Sequence, residues 1–541
     1  MEKADFVLKG SAIFTGAGDK PISGCVLIKG NRILKIVPLD RMTGYIDEKT
    51  TVINCGDHLI MPGFNDSHMH ISLGSVQNDP DFCIQMMNCK SEEECVQMVK
   101  SFADSHPDNP WIYGTGWYSE VWDNPHTPSK ESLDALNLDR PVCLNSFDLH
   151  SVWCNSIALD KIGIKKDTPN PQGGIYGHDE QGELNGILYE PPATKAMMDE
   201  VLNVPTLKQS LLKCLKHFRE LGITSVADVY PSGLTNDNIP EIFDELEQSG
   251  ELTTRITSFP SLTDIAGAKE LKRKYHTNKH RVAGLKQVLD GVVEAHTAFL
   301  SKEYDNDPGK FGDTSLTQDE LNKYVLAAQK EGFPVKIHTI GDQASTMALN
   351  AYEYAKSKIG KLILHNSLEH IDMIRQDDID RLKSLNVMCA VQPQHCIGDY
   401  MSGGYLPCIG KERLSHTWPY REILDAGSHL AFGSDFPAVY SVNPIWTIYA
   451  AVTRCEPNEG KPDGGYFPEH AITLTEALQA HTKWSAYAES FENELGTLEP
   501  GKLADVIVLD RNLFDIDPQE IRFAKVNLTF SDGKLVYKRD K

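Results

Sequence analysis

The chain has 541 residues, of which 40% are apolar and 24% charged, with a net charge of −23 and a pI near 5.3. This composition is typical of a globular protein, and the length allows one large catalytic domain with a smaller one. The acidic balance argues against nucleic acid or an anionic membrane as the main partner, because both require basic patches.

Two further features bear on location. The opening residues MEKADFVLKG lack the apolar core of a secretory signal, and no run of about 18 or more apolar residues occurs. The 12 cysteines include no CxxC pair, which favours reduced thiols over a disulfide framework. A zinc site among Cys83, Cys89 and Cys95 is the alternative, but the spacing fits no usual zinc pattern. We therefore expect a cytoplasmic protein with no membrane partner.

Both ends of the chain show the pattern of short strands. Stretches such as FVLKGSAIFT and GCVLIKGNRILKIVP alternate apolar and polar residues and stop at Gly, Asn or Asp. The carboxy-terminal stretch repeats this pattern, and Asp532-Gly533 lies between two alternating runs as a hairpin turn would. We predict one small β-domain assembled from residues 1–60 and 490–541.

The middle of the chain alternates strands with helices. For example, FPVKIHTIG follows ELNKYVLAAQKE, and LAFGSDFP follows REILDAGS. Such alternation over roughly 400 residues indicates a parallel sheet, either open or closed as a barrel. An insertion is predicted around residues 80–220, which are too many for one or two βα units. Nine segments compete for a barrel's eight strand positions: 59–66, 142–147, 223–229, 253–259, 284–290, 335–340, 364–370, 386–392 and 429–435.

Histidines and one aspartate follow several of these strands. His68 and His70 are two residues apart in MPGFNDSHMH, so on an extended strand they point to the same face. His338 ends PVKIH, His370 ends SLEH and Asp435 ends LAFGSD. Because the carboxyl ends of parallel barrel strands converge, we expect these side chains to lie close together. Imidazole and carboxylate together suit zinc, manganese or iron.

These motifs give the sequence a resemblance to a known family. MPGFNDSHMH resembles the opening PGFxDxHxH motif of the metal-dependent amidohydrolase superfamily. LKQVLDGVVEAHTA, KIHTIGDQA, LEHIDMI, AFGSDFPAVYSVNP and GTLEPGKLADVIVLD follow in the family's order. The set is similar to the YtcJ-like branch, which includes N-substituted formamide deformylases. The resemblance implies an α/β fold: a (β/α)8 TIM barrel over residues 61–489 with a small β-sandwich formed from both termini.

The resemblance also implies a set of metal ligands. The two histidines of MPGFNDSHMH and Asp435 would hold one metal, and His338 and His370 would hold a second. Lys286 matches the position of a lysine that the family carboxylates and uses to bridge two metals. An ordinary salt-bridging lysine is the alternative. The expected cofactor is zinc, as two ions or as one, because some family members use a single metal; other divalent metals stay open.

Other residues in the shared segments are candidates for substrate binding. His296 stands in the run EAHT, where relatives more often carry Gly-Ser-Arg-Thr. It would then replace an arginine near the substrate. The remaining candidates follow other predicted strands, with loop packing as the alternative interpretation: His150, Trp153, Asn155 and His395.

The implied reaction is hydrolysis of a non-peptide carbon–nitrogen bond, an amide, in a small molecule. Zinc lowers the pKa of bound water from about 15.7 to about 7, which supplies hydroxide at neutral pH. Asp435 would take the hydroxide proton and pass it to the leaving nitrogen. A lactonase or esterase would use the same site, and a deaminase would need a catalytic glutamate on a helix. An inactive binding protein would be expected to lack ligands, and none is missing. A homodimer is possible by analogy with such barrels.

Overall fold

The computed structural model of the chain describes residues 2–119, 122–147, 151–171, 174–201, 204–229, 239–362, 365–398, 404–439 and 441–540. The chain forms two compact units. The first contains residues 1–70, 215–231 and 243–541, and the second contains residues 71–214 and 232–242. The second unit overlaps the insertion that the sequence predicts around residues 80–220.

Strands occur in both units. The strands of the described residues are β1 (Phe6–Ile13), β2 (Ile22–Lys29), β3 (Arg32–Val37), β4 (Thr51–Pro62), β5 (Phe64–Met69), β6 (Cys83–Gln85), β7 (Ile112–Trp117), β8 (Val142–Ser146), β9 (Ser151–Cys154), β10 (Ile175–His178), β11 (Leu184–Tyr189), β12 (Ile223–Val229), β13 (Arg255–Phe259), β14 (His280–Val282), β15 (Leu285–Val288), β16 (Val335–Thr339), β17 (Asn366–His370), β18 (Val387–Val391), β19 (Leu430–Phe432), β20 (Val506–Leu509), β21 (Val526–Ser531) and β22 (Lys534–Lys538).

Helices separate most of the parallel strands. They are α1 (Ile71–Gln77), α2 (Glu92–Ser105), α3 (Lys130–Asp134), α4 (Ser156–Lys161), α5 (Pro191–Val201), α6 (Val204–Leu221), α7 (Ile239–Ser249), α8 (Ile265–Lys274), α9 (Gln318–Lys330), α10 (Asp342–Ile359), α11 (Gln376–Leu385), α12 (Leu406–Leu414), α13 (Tyr420–Asp425), α14 (Pro444–Thr453), α15 (Leu474–Ala480) and α16 (Lys483–Ala488). Among the residues that the structure describes, no helix is both long enough and apolar enough to span a bilayer.

The first unit contains a seven-stranded sheet built from both ends of the chain. Its order is β22-β21-β20-β4-β1-β2-β3, and the β20–β4 pair joins the two ends. Its neighbouring strands are antiparallel except for β1 and β4. The predicted hairpin is confirmed, because Ser531 pairs with Lys534 around Asp532 and Gly533, which both have positive φ. The predicted association of the two termini is therefore present as one mixed sheet.

Parallel strands form two further sheets in the first unit. Their orders are β14-β13-β12-β5 and β15-β16-β17-β18-β19, and each strand is parallel to its neighbours. Backbone contacts also join the two sheets. Lys286 on β15 bridges to Ser261 just after β13, and the Asp435 N–H after β19 donates to the carbonyl of His68 on β5 at 2.8 Å. The α/β class predicted from the sequence is confirmed.

Two strand predictions need correction. The segment 142–147, predicted among the barrel candidates, is β8 in a sheet of the second unit with the order β10-β11-β9-β8-β7-β6. Conversely, the three-residue β14 is absent from the prediction, because so short a run shows no alternation. The other eight predicted segments overlap strands of the first unit.

Helices α9 and α10 cover β16 and show why this part of the chain folds as it does. Thr317 begins α9 with a capping box, in which its side chain accepts from the Glu320 N–H and the Glu320 side chain accepts in return. The buried face of α9 carries Leu321, Val325 and Ala328, spaced as one side of a helix requires. This packing supports β16, the strand that carries His338.

Candidate metal centre

The five predicted ligand residues come from four parallel strands of the first unit. His68 lies on β5 and His70 directly follows that strand, whereas His338 lies on β16. His370 is the last residue of β17, and Asp435 follows β19 by three residues. All of them lie at or just after the carboxyl ends of neighbouring parallel strands, which is where such folds place functional side chains.

Asp435 is the centre of this cluster. Its Oδ1 lies 3.4 Å from Nε2 of His68 and 3.4 Å from Nε2 of His70, and its Oδ2 lies 4.0 Å from Nδ1 of His370. The rings of His68 and His370 are 4.7 Å apart between centroids, and those of His338 and His370 are 4.3 Å apart. The structure therefore brings the four histidines and the aspartate of the predicted ligand set together.

Two triplets of side chains are close enough to share a cation. Ligand atoms of His68, His70 and Asp435 lie within 4.8 Å of one another, and so do those of His370, His395 and Asp435. Asp435 belongs to both triplets. His395, which the sequence analysis places at the substrate, is thus also a candidate ligand.

The backbone is strained where the cluster forms. His370 has a φ of 73°, and the N–H of Ile371 donates to the carbonyl two residues earlier at 3.1 Å, which makes a rare kind of γ-turn. Asp435 has a φ of 61°. Non-glycine residues seldom adopt this region, and such strain concentrates at functional sites. Gly433 permits the close approach of the strands, because a Cβ there would lie 2.6 Å from Cβ of His68.

Burial controls the protonation of the cluster. It lowers the pKa of His338 to about 3 and also lowers the pKa values of His68 and His370, so these imidazoles are neutral at pH 7. Burial alone would raise the pKa of Asp435, but the imidazoles of His68 and His70 hold that pKa well below its ordinary value. At neutral pH, neutral imidazoles therefore face an ionised carboxylate.

This donor set fits a divalent cation. Within the described ranges, Nδ1 of His70, Nδ1 of His370 and Nζ of Lys286 are buried and have no hydrogen-bond partner. Buried polar atoms without partners are rare in folded proteins. Neutral imidazoles and a carboxylate are also the ligands that zinc and related metals prefer. The residues present are therefore chemically suited to hold one or two cations.

Lys286 lies beside the cluster on β15. Burial lowers the pKa of its ammonium group to about 8, and the charges of Glu369 and Asp435 act against this effect. A lower pKa increases the fraction of neutral amine, which is the form that adds to CO2. The environment of Lys286 thus favours the chemistry that carboxylation needs.

Two buried carboxylates that the sequence interpretation missed support His68. Glu369 accepts a hydrogen bond from Nδ1 of His68 at 2.5 Å. Asp66 accepts from the backbone N–H of His68 at 3.2 Å and from that of Ser434 at 3.0 Å, and burial raises its pKa to about 7. Asp66 is two residues before His68, and Glu369 directly precedes His370. Their adjacency to predicted ligands is the signal that could have identified them.

A third missed carboxylate, Asp290, organises the loop after β16. It accepts backbone hydrogen bonds from Gly341 at 2.8 Å, Phe299 at 3.0 Å and Ile340 at 3.1 Å. Its Oδ1 lies 3.8 Å from Nε2 of His338. Burial raises the pKa of Asp290 to about 7. Asp290 therefore ties the loops that flank His338 to each other.

The histidines predicted to bind substrate in the first unit have different surroundings. His395 donates from Nε2 to the carbonyl of Ala438 at 2.8 Å and lies in the second candidate triplet. His296 packs against the ring of Tyr304 at 4.7 Å, and its Nε2 lies 3.6 Å from Sγ of Cys408. Its Nδ1 lies 3.6 Å from Oδ2 of Asp307, and among the described residues His296 belongs to neither candidate triplet.

The other predicted substrate residues belong to the second unit. Trp153 is fully buried, and its Nε1 donates to the carbonyl of Ser129 at 2.9 Å. Asn155 caps α4, where its Oδ1 accepts from the Ala158 N–H at 3.0 Å. These contacts are of the kind that the packing interpretation expects, and the substrate role of the two residues stays a prediction. His150 lies outside the described residues.

Neutral imidazoles around an ionised carboxylate, at the ends of parallel strands in an α/β fold, define a class of enzyme: a metal-dependent hydrolase. The family comparison agrees. The chain belongs to the amidohydrolase family, whose sequence model, described as "Amidohydrolase family", matches residues 51–537.

Relatives from plants and bacteria match most of the chain. It is 28% identical to Protein LONG AFTER FAR-RED 3 of Arabidopsis thaliana, over 99% of this chain and 92% of that protein. It is 26% identical to YtcJ of Bacillus subtilis, which is named as an amidohydrolase, over 92% of each chain. It is 24% identical to the N-substituted formamide deformylase of Arthrobacter pascens, over 95% of each chain.

Solved structures share the fold. A metal-dependent hydrolase from Pyrococcus furiosus has a TM-score of 0.75 and 26% identity, covering 95% of this chain and 99% of that one. A metal-dependent hydrolase from Pyrococcus horikoshii OT3 has a TM-score of 0.78 and 24% identity, with the same coverage. The membership of the chain in the family therefore rests on sequence and on fold.

Proposed function

We propose that this enzyme hydrolyses a non-peptide carbon–nitrogen bond, an amide, in a small molecule. The observation that carries the proposal is the convergence of His68, His70 and His370 on the buried carboxylate of Asp435, with His338 packed against His370. The name of the Arthrobacter pascens relative supports an amide substrate, because that protein is a formamide deformylase. Family membership supports the reaction class, and the screen described below is designed to find the substrate.

In this proposal, zinc is the cofactor and the predicted ligands hold it. His68, His70 and Asp435 would hold one ion; His338 and His370 would hold the second, with Lys286 as a carboxylated bridge. When bound, such a cation lowers the pKa of a coordinated water and polarises a carbonyl oxygen.

The chain's own residues would do the rest of the chemistry. The Asp435 carboxylate, ionised at neutral pH, accepts the proton released by the attacking water at one of its oxygens. It then returns that proton to the nitrogen of the leaving amine, as a general base and then a general acid. His395, near Asp435, would contact the substrate or join the second cation position. Burial of the cluster excludes bulk water and strengthens these electrostatic interactions.

The fold that supports this site is proposed to be a closed barrel. The backbone contacts that link β13 to β15 and β19 to β5 support closure of the two parallel sheets into a (β/α)8 barrel over residues 61–489. We also propose that residues 1–60 and 490–541 form a small composite β-sandwich assembled from both termini. The cytoplasmic location and the homodimer stay predictions.

The proposal is tested by metal analysis and a substrate screen. The purified protein is expected to contain close to two equivalents of divalent metal, to lose activity on chelation and to regain it with zinc. Against N-formyl, N-acyl and cyclic amides, with lactones, esters and amino-heterocycles in parallel, we expect hydrolysis of an amide.

His338→Ala provides the loss-of-function comparison, and the exposed His217→Ala serves as the matched histidine control. His338→Ala should lose activity and metal, whereas His217→Ala should keep both. Full activity in His338→Ala would show that the site assignment is wrong. If the protein hydrolysed only lactones or esters, or only deaminated amino-heterocycles, the proposed amide hydrolysis would be wrong and the observed reaction would take its place.

Carboxylation of Lys286 can be measured directly. Protein incubated with 13C-bicarbonate is expected to show a carbamate carbon signal that disappears in Lys286→Ala. Lys279, whose pKa burial lowers to about 8, is the matched control, because it has similar acidity but bonds to Ser531. Lys279→Ala should keep the signal. A spectrum without a carbamate signal in the wild type would remove Lys286 from the proposed bridge.

A further inference from the structure

Glu369 contacts both the interior of the first unit and the cluster of candidate metal ligands. It is fully buried on β17, next to His370 in the chain. One of its oxygens, Oε2, accepts from Nδ1 of His68 at 2.5 Å. The end of β17 therefore supplies two residues to the site. His370 is a member of the ligand cluster, and Glu369 contacts His68, another member.

The other carboxylate oxygen of Glu369 is held independently. Nζ of Lys336 lies 3.4 Å from Oε1, and the hydroxyl of Ser367 donates to the same oxygen. Lys336 is itself fixed, because it donates to the carbonyl of Ser67 at 3.2 Å. These groups are all buried. The orientation of the carboxylate is thus set by donors that do not belong to the cluster.

This arrangement decides which nitrogen of His68 can bind a cation. An ionised carboxylate only accepts hydrogen bonds, so the shared hydrogen lies on Nδ1 of His68. A neutral ring then has its lone pair on Nε2. That nitrogen faces Oδ1 of Asp435 at 3.4 Å. The lone pair of Nε2 and the Asp435 carboxylate oxygen are therefore placed so that one cation could bind both.

The second histidine of this triplet, His70, lacks this support. Its Nε2 faces Asp435, and within the described ranges its Nδ1 has no hydrogen-bond partner. Metal-binding histidines are commonly oriented by a carboxylate or carbonyl on the second ring nitrogen, and loss of that partner weakens metal binding. His68 is therefore the better ordered of the two histidines in the triplet with His70 and Asp435.

We infer that Glu369 is a positioning residue, which fixes the ring orientation and tautomer of His68 and thereby sets the affinity of the cation position that includes His68. This inference rests on the proposed function, because it requires that the cluster binds a cation. It assigns unequal roles to the two candidate triplets: a carboxylate holds His68 and a neutral carbonyl holds His395, so the triplet that contains His68 is the more firmly organised and fills first.

The test measures metal binding rather than turnover. The metal-free protein is titrated with Co²⁺, followed by visible absorption, and with Zn²⁺, followed by calorimetry. For Glu369→Gln, we expect the first, tighter binding step to weaken by about 10–100-fold. The Co²⁺ spectrum of that step should change as well, since the ring of His68 is no longer held. The second step should change much less.

Ser367→Ala is the matched control. It removes a donor to the same carboxylate but leaves the bond between Glu369 and His68, so both binding steps should resemble the wild type. If Glu369→Gln does not fold beside the buried Lys336, Glu369→Asp takes its place. That variant keeps the negative charge but withdraws it from His68, and the same weakening is expected.

The outcomes separate this inference from the proposed function. Binding in the Glu369 variants equal to that of the wild type would overturn the positioning role while leaving the metal centre intact. Equal weakening in Ser367→Ala would also overturn it, because the effect would then come from general loosening of the interior. Failure of the wild-type protein to bind any divalent cation would refute the proposed function itself.

Discussion

Replacing Asp435 by asparagine is expected to lower kcat by about 10²–10⁴-fold, which is the usual contribution of a general acid–base group. Asparagine keeps the size of the side chain and one oxygen, but it cannot take up a proton. Because three histidines lie within 4.0 Å of the carboxylate and His338 packs against one of them, we expect a large part of the bound metal to remain. Steady-state kinetics on the amide found in the screen, combined with metal analysis of the same sample, would measure both quantities.

Asp342→Asn is the matched control for this experiment. Asp342 lies in the chain near His338, but its carboxylate accepts from the backbone N–H of Ser301 at 2.8 Å at the start of α10. Its replacement should change kcat by less than about threefold, well below the general acid–base effect. If Asp435→Asn retained wild-type kcat with metal bound, another group would have to carry the proton.

The positions of the predicted ligands could be obtained from the sequence because each follows a short apolar run. The predicted strand 223–229 has the bounds of β12, and the segments before His338 and His370 overlap β16 and β17. Once the strands are parallel neighbours, their carboxyl ends lie together by geometry alone. Predicting that these side chains converge thus required only the positions of the strand ends and the residue types. It did not require knowledge of side-chain packing.

The supporting residues could not be obtained in this way. Strict alternation would place Glu369 and His370 on opposite faces of β17. The left-handed γ-turn at His370 breaks this alternation, so both side chains can serve the cluster. A strained turn of this kind depends on tertiary contacts and has no local sequence signature.

The assignment of strands to sheets was likewise beyond the sequence. The segment 142–147 has the same apolar pattern as the parallel strands of the first unit, yet it is β8 in the second unit. Apolar runs identify a strand but do not identify its neighbours. The same limit applies to Trp153 and Asn155, because their sequence pattern could not show that both side chains are buried in the second unit.

Replacing Arg255 by methionine is expected to lower the free energy of unfolding of the first unit by about 3–5 kcal/mol, the cost of removing one partner from a buried ion pair. Arg255 begins β13 and is 1% exposed. It binds Asp505 through Nε at 2.8 Å and Nη2 at 2.9 Å, and it binds Asp532 through Nη2 at 2.9 Å. These aspartates flank β20 and β21 in the terminal sheet, so the substitution leaves two carboxylates without their cation where the parallel strands meet that sheet.

Denaturant titration would measure this loss as a lower midpoint with an unchanged slope. Arg421→Met is the matched control: Arg421 also binds two carboxylates, but its side chain is 30% exposed, and we expect a loss of less than about 1 kcal/mol. Adding Asp505→Asn and Asp532→Asn to Arg255→Met should restore part of the loss, because the cost arises from unpaired charge rather than from lost volume. If the two arginine variants unfolded at the same midpoint, the Arg255 ion pairs would stabilise the protein no more than an exposed ion pair does. The contact between the sheet that contains β13 and the terminal sheet would then depend on apolar packing.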